Sequence, residues 1–111
     1  MNENKIIGYL GLATKAGKLV SGEFMTEKSV KEGRAKIVIV AEDASDNTKK
    51  MFSNMCEFYH VPMYTMSNKE ILGHAIGKQF RASLAVLDDG LTKAIIKQLA
   101  VEQKSTGKAI I

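Results

Sequence analysis

The chain has 111 residues, a length that suits one domain of the usual ~100–150 residues, and 45% of them are apolar, enough for one core. Lys and Arg number 16 against 12 Asp and Glu, a formal charge of +4, which favours a polyanionic partner such as nucleic acid, because Lys and Arg contacts to phosphate release counterions. A single cysteine, Cys56, excludes an intramolecular disulfide and suits a reducing compartment; no stretch nears the ~18 continuous apolar residues of a membrane span.

The N-terminal "MNENKIIGYLGLATKAGK" lacks the long uncharged apolar core of a signal peptide, so a cytoplasmic location is expected. It places Ile6, Ile7, Leu10 and Ala13 at helical spacing, with Gly17 as a C-terminal stop. Gly8 and Gly11 lower helix propensity but let another backbone come close. "KLV" reads as a short edge strand. The stretch "VSGEFMTEKSVKEG" then predicts a second helix, buried along Met25, Ser29 and Val30, with Phe24, Glu27, Lys28 and Lys31 nearer solvent. "KIVIVA" (36–41) is a β-branched run without alternation, the pattern of a strand buried on both faces.

"EDASDN" follows, with Ser45 or Asp46 placed to start a third helix that carries Thr48, Met51, Phe52, Met55, Cys56 and Tyr59 at three- and four-residue steps. "VPMYT" is a short strand whose Pro62 suits a strand start or an edge. In "MSNKEILGHAIG", Ser67 and Glu70 have capping-box spacing, and Met66 and Ile71 are placed for a hydrophobic staple. "SLAVL" (83–87) is a second buried strand, and "DDG" opens a last helix with Leu91, Ile95 and Leu99. From about 101 the pattern fades, as in a loose tail. The order α-β-α-β-α-β-α-β-α predicts a mixed or mostly parallel sheet in a single three-layer α/β/α sandwich over residues 1–111.

Few residues suggest chemistry. "GLATKAGKL" differs from a phosphate-binding P-loop: five residues separate Gly11 and Gly17, Leu19 stands where Ser or Thr would hold the metal, and no strand precedes it. Cys56 and His60 share a helix face, but two ligands do not make a zinc site; a buried thiol and a surface histidine are expected, and no metal. Glu42-Asp43 and Asp88-Asp89 follow the buried strands, where α/β proteins often place ligands, yet each also precedes a helix start that it can cap. Two histidines leave little material for acid–base catalysis. Neither an enzyme nor a cofactor is expected.

Two segments are hard to explain as core. At the start of the second helix, Ser21, Gly22, Glu23 and Phe24 stand between Lys15, Lys18 and Lys28. A helix N-terminus offers free N–H groups and positive dipole character to phosphates. In "GKQFRAS" (77–83), Phe80 beside Arg81 offers two planes for stacking on an unpaired base; alternatively Phe80 tucks into the core and Arg81 is solvated.

Together these residues resemble the ribosomal-protein family of kink-turn RNA binders that includes large-subunit protein seven-Ae, its thirty-e relative and a small bacterial group of the YlxQ type. The likeness runs from about Gly8 to about Gly90. It is carried by "GKLVSGE", "EKSVKEGRAKIVIVAEDAS", "CEFYHVPMYTMSNKEILGHAIG" and "SLAVLDDG" in register, and "LGLATKAGKLVSGE" is particularly similar to the bacterial group. The resemblance implies a thirty-e-like α/β/α sandwich on a four-stranded mixed sheet and no catalytic activity. It also implies recognition of a sharply bent RNA with sheared G·A pairs. By position, the helix start that enters the groove at those pairs falls on Gly22, Glu23, Phe24, Met25 and Lys28. The loop that covers an extruded nucleotide falls on Gln79, Phe80, Arg81, Ala82 and Ser83. Archaeal and eukaryotic members usually have Asn-Glu, which reads guanine edges by hydrogen bonds, where this chain has Phe24-Met25, and neither side chain here can make that readout.

The expected protein is therefore a non-enzymatic RNA-binding domain acting on ribosomal RNA or another structured RNA, with no membrane and no DNA partner. Lys15, Lys18, Lys28 and Lys49 would lie along phosphates, and Phe80 with Arg81 would stack on an unpaired base. The rivals are a protein-interaction adaptor anchored by "GEFM", and a nucleotide- or small-molecule-binding enzyme at the Asp43 and Asp88 strand ends.

Overall fold

The computed structural model describes the backbone of residues 3–106 and the side chains of residues 3–100. Among the described residues five helices and four strands alternate as the sequence predicts: α1 Glu3–Lys15, β1 Leu19–Ser21, α2 Glu23–Lys31, β2 Ile37–Val40, α3 Asp46–Tyr59, β3 Met63–Thr65, α4 Lys69–Ala75, β4 Ser83–Val86 and α5 Asp89–Thr106. The strands form one sheet in the order β1-β4-β2-β3. β2 and β3 are parallel, whereas β4 pairs antiparallel with both β1 and β2. The sheet is thus mixed and not mostly parallel, because β4 is reversed between two neighbours.

All four residues of β2 and all four of β4 are buried. Their side chains alternate between two cores, as the pleat requires. Ile37, Ile39, Leu84 and Val86 face α1, α4 and α5, where they meet Ile6, Leu10, Leu72, Ile76 and Ile95. Val38, Val40 and Ala85 face α2 and α3, where they meet Val30, Phe52 and Cys56. Two covered faces make the three-layer sandwich. The β-branched run of β2 and the apolar run of β4 signalled this burial, since a strand with no wet face has no reason to alternate.

The helix ends show where local patterning was overruled. Ser45 caps α3 as expected, accepting from the Thr48 N–H. At α4 the cap is Asn68, whose Oδ1 accepts from the Ile71 N–H at 2.8 Å, not Ser67. Ser67 sits in the left-handed region at φ 58°, so the extended conformation an N-cap needs falls one residue later. The Met66–Ile71 staple does not form: Met66 is buried and Ile71 is exposed. On α2, Thr26 with Ser29 and Val30 makes the buried stripe, and Met25 is exposed. Starting the helix at Glu23 points residues 26, 29 and 30 at the sheet and leaves 25 a step off that face. The helical backbone of α5 continues to Thr106, past the start of the expected loose tail; residues 107–111 lie outside the described residues.

Cys56 is buried in the core between α3 and the sheet, and burial pushes its thiol up to about 11. His60 is exposed and ends α3 at φ 59°. Among the described residues no group of three or more His, Cys, Asp or Glu is placed to hold a metal. None of the described helices is long and apolar enough to cross a membrane. A thiol with a raised folded-state pKa contributes its stability in full below the unfolded value near 9.0 and loses it as pH rises toward about 11. The stability advantage over a Cys56→Ala variant should therefore be constant up to about pH 9 and shrink above it, measured by urea unfolding at each pH.

Candidate functional site

Strand direction assembles the candidate site. β1, β2 and β3 run one way and β4 runs the other. The C-terminal ends of β1, β2 and β3, the starts of α2, α3 and α4, and the loop entering β4 therefore share one end of the sheet. Segments about sixty residues apart in sequence meet there. The Gly22 N–H donates to the Ser83 carbonyl at 3.0 Å, and Arg81 Nε donates to Ser21 Oγ at 2.9 Å.

Gly22 caps α2 at φ 90° and ψ 158°, with no side-chain cap. L side chains rarely adopt that backbone, so glycine is needed to turn the chain from β1 directly into a helix. Its carbonyl accepts the first helical bond, from Thr26. The N–H groups of Glu23, Phe24 and Met25 point out of the helix end, and among the described residues they have no acceptor within the chain. Phe24 is 72% exposed. Lys28 lies one turn further on the exposed side and has no ion-pair partner among the described residues, while Lys31 is held 2.7 Å from Glu27. That hydrogen bond, together with the carboxylate charge, raises the Lys31 pKa.

The loop before β4 is clamped from below. The Lys78 N–H bonds the Gly73 carbonyl at 2.8 Å, and the Arg81 N–H bonds the Lys69 carbonyl at 3.0 Å. Gly73 allows the loop to lie on α4: a Cβ there would be 2.6 Å from the Gln79 carbonyl oxygen and 2.8 Å from the Phe80 nitrogen. Phe80 is 57% exposed, which excludes the reading in which it tucks into the core. Beside it is an open depression of about 590 Å³ lined by Asp43, Asn68, Lys69, Glu70 and Phe80. Asp43 Oδ1 accepts from the Lys69 N–H at 2.9 Å, which ties the loop after β2 to the start of α4.

Ser21, Gly22, Glu23, Phe24, Gln79, Phe80, Arg81 and Ser83 are brought together, with Lys28 on the first turns of α2 and Lys49 on the first turn of α3. Lys15 and Lys18 are not: they precede β1 at the opposite end of the sheet, separated from Gly22 by about 13 Å of strand. Arg81 is half-buried, and its guanidinium is engaged with Ser21 Oγ and the Phe80 carbonyl. The acidic pairs end antiparallel strands and so lie at opposite ends of the sheet. Asp43 and Asp88 each accept a helix-start N–H, so they cap helices and do not converge on one site. Gly73 and the Asp43–Lys69 tie escaped the sequence reading. A glycine inside the short apolar pattern "ILGHAIG" was the available signal for Gly73.

Residues 4–96 match the family model described as the ribosomal protein L7Ae/L30e/S12e/Gadd45 family. The chain is 42% identical over 90 residues to RNA-binding protein YlxQ of Bacillus subtilis, covering 81% of this chain and 90% of that protein. It is 38% identical over 92 residues to the protein of the same name from Enterococcus faecium, covering 83% and 88%. Among solved structures, a protein from Bacillus halodurans C with unknown function superposes with a TM-score of 0.83 at 34% identity, over 86% of this chain and 97% of its own. The fold is also that of a Giardia lamblia 15.5kD RNA binding protein, with a TM-score of 0.76 at 20% identity over 89% and 85% of the two chains.

Two glycines give separable outcomes. Gly73→Ala should destabilise the fold by about 1–3 kcal/mol, because backbone must move to make room. Gly22→Ala should cost about 1–2 kcal/mol through strain alone, since open space surrounds the added Cβ. Urea unfolding measures both; amide spectra should show residues 78–82 displaced by the first substitution and residues 21–25 by the second.

Proposed function

Since the chain belongs to the ribosomal protein L7Ae/L30e/S12e/Gadd45 family, we propose that it is a cytoplasmic, non-enzymatic RNA-binding protein that needs no cofactor. Its target is a sharply bent RNA of the kink-turn class, ribosomal or regulatory. The observation that carries this reading is the joining of two exposed segments at one sheet end by the Gly22–Ser83 and Ser21–Arg81 bonds, with Phe24 and Phe80 open to solvent.

The roles follow from the chemistry of each group. The free N–H groups at the start of α2 suit phosphate oxygens or base-edge acceptors, with the helix dipole adding attraction. Lys28 and Lys49 lie along phosphates, whereas Lys15 and Lys18, at the opposite end of the sheet, stand apart from this contact. The Phe80 ring stacks on an unpaired base beside the depression. Glu23 is repelled by phosphates and accepts from a base amine or imine or from a ribose 2′-OH, so it turns the helix start away from phosphates and toward bases and sugars. Phe24 and Met25 add apolar contact and no hydrogen-bond readout, which lowers discrimination by the ~1–3 kcal/mol that a base-edge pair supplies. The same exposed pair, with Phe24 at 72%, is the observation that favours the second reading, a protein-binding anchor in the translation machinery.

In a gel-shift titration, a kink-turn RNA should bind more tightly than the same RNA with its G·A pairs disrupted. Phe80→Ala should weaken binding by about 1–3 kcal/mol, and Lys28→Ala should flatten the dependence on salt. Equal weak affinity for the two RNAs overturns kink-turn selectivity. Protein partners that survive nuclease treatment, with no RNA bound, favour the adaptor.

A further inference from the structure

Phe80 presents a difficulty that the structure resolves. The ring is 57% exposed and belongs to neither core, so core packing does not hold it in place. The position of its backbone then matters most. Three hydrogen bonds converge there, all from Arg81: Nη1 donates to the Phe80 carbonyl at 2.8 Å, Nε to Ser21 Oγ at 2.9 Å, and the backbone N–H to the Lys69 carbonyl at 3.0 Å. One residue thus ties the exposed ring's peptide to the end of β1, just before α2 begins, and to the first residue of α4.

Resting on the RNA reading above, we infer that Arg81 is a positioning residue: its half-buried guanidinium locks the Phe80 loop against the start of α2, and it is not itself a stacking or phosphate-binding group. A planar fork can meet two acceptors in fixed geometry, which a lysine ammonium on a flexible stem does not. Holding the ring in place before RNA arrives removes an ordering cost from binding. Ser21 is the other half of the device. Its hydroxyl is fastened to Arg81, and the same residue sets the position of Gly22 and the helix start.

The test uses Ser21→Ala and Arg81→Lys, which both preserve net charge, singly, together and in a Phe80→Ala background. Kink-turn RNA binding is titrated at several salt concentrations, and thermal unfolding checks that each variant is folded. Each single substitution should weaken binding roughly fivefold, about the effect of losing one net hydrogen bond. The pair should do no more than either alone, and neither should matter once Phe80 is Ala. Arg81→Gln should leave the salt slope unchanged, whereas a lost phosphate contact would reduce it by about 0.7–0.9.

Additive losses, a loss that persists without Phe80, or a flattened slope overturns the proposal. A second readout needs no RNA: the Arg81 Nε–H should give a slowly exchanging NMR signal that disappears in Ser21→Ala. An unprotected Nε–H with RNA binding intact overturns the tie. A protected Nε–H in a protein that binds no RNA overturns the RNA reading, and with it the ring-presenting role, while leaving the tie standing.

Discussion

The antiparallel seating of β4 between β1 and β2 is the constraint on which the rest depends. Because β4 runs against all three other strands, the loop that enters it must lie where they finish. That one reversal brings residues 21–24 beside residues 79–83 across about sixty positions of sequence. Had β4 been parallel to its neighbours, its entry loop would have joined Lys15 and Lys18 at the other end, and no composite surface would exist. The register is held by burial: Leu84 and Val86 face one core and Ala85 the other, so a one-residue slip would exchange large and small side chains between the two faces.

Around that reversal the surface is built from backbone as much as from side chains. Gly22 turns strand into helix with no intervening loop, which leaves the first N–H groups of α2 uncapped and facing outward. Gly73 lets the Gln79 peptide rest on α4. The side chains that hold the site, Arg81, Ser21 and Asp43, bond to other parts of the protein and are partly used up by doing so. The exposed groups, Phe24, Phe80 and Lys28, project from this frame. A rigid frame with unsatisfied groups at its edge is what recognition of a shaped partner requires.

Much of this was legible without coordinates. The buried strands announced themselves in "KIVIVA" and "SLAVL", and Phe24 read as exposed because it falls outside the α2 stripe. Met25 misled because its hydrophobicity suggests core, yet helix phase is set by where Gly22 allows the turn to start. Ser67 misled because capping-box spacing is only a pattern, and a left-handed residue at that place moves the cap to Asn68. Arg81 looked like a solvent-facing stacking group because its neighbours in sequence offer its guanidinium only a backbone carbonyl, that of Phe80. Its partner, Ser21, is sixty positions away.

By itself, the sequence determined the alternation of helices and strands, the two-sided burial of the central strands, and the two segments left without a structural explanation. These follow from local periodicity and composition, which each stretch of chain carries independently. Tertiary structure alone decided that the two segments are one surface, that Lys15 and Lys18 lie away from it, and that the acidic pairs cannot converge. Strand direction and sheet order are set by long-range pairing, and no window of neighbouring residues records which end of a sheet it will occupy. Arg81 belongs to that second class: its charge is written in the sequence, but what it holds together was decided by the fold.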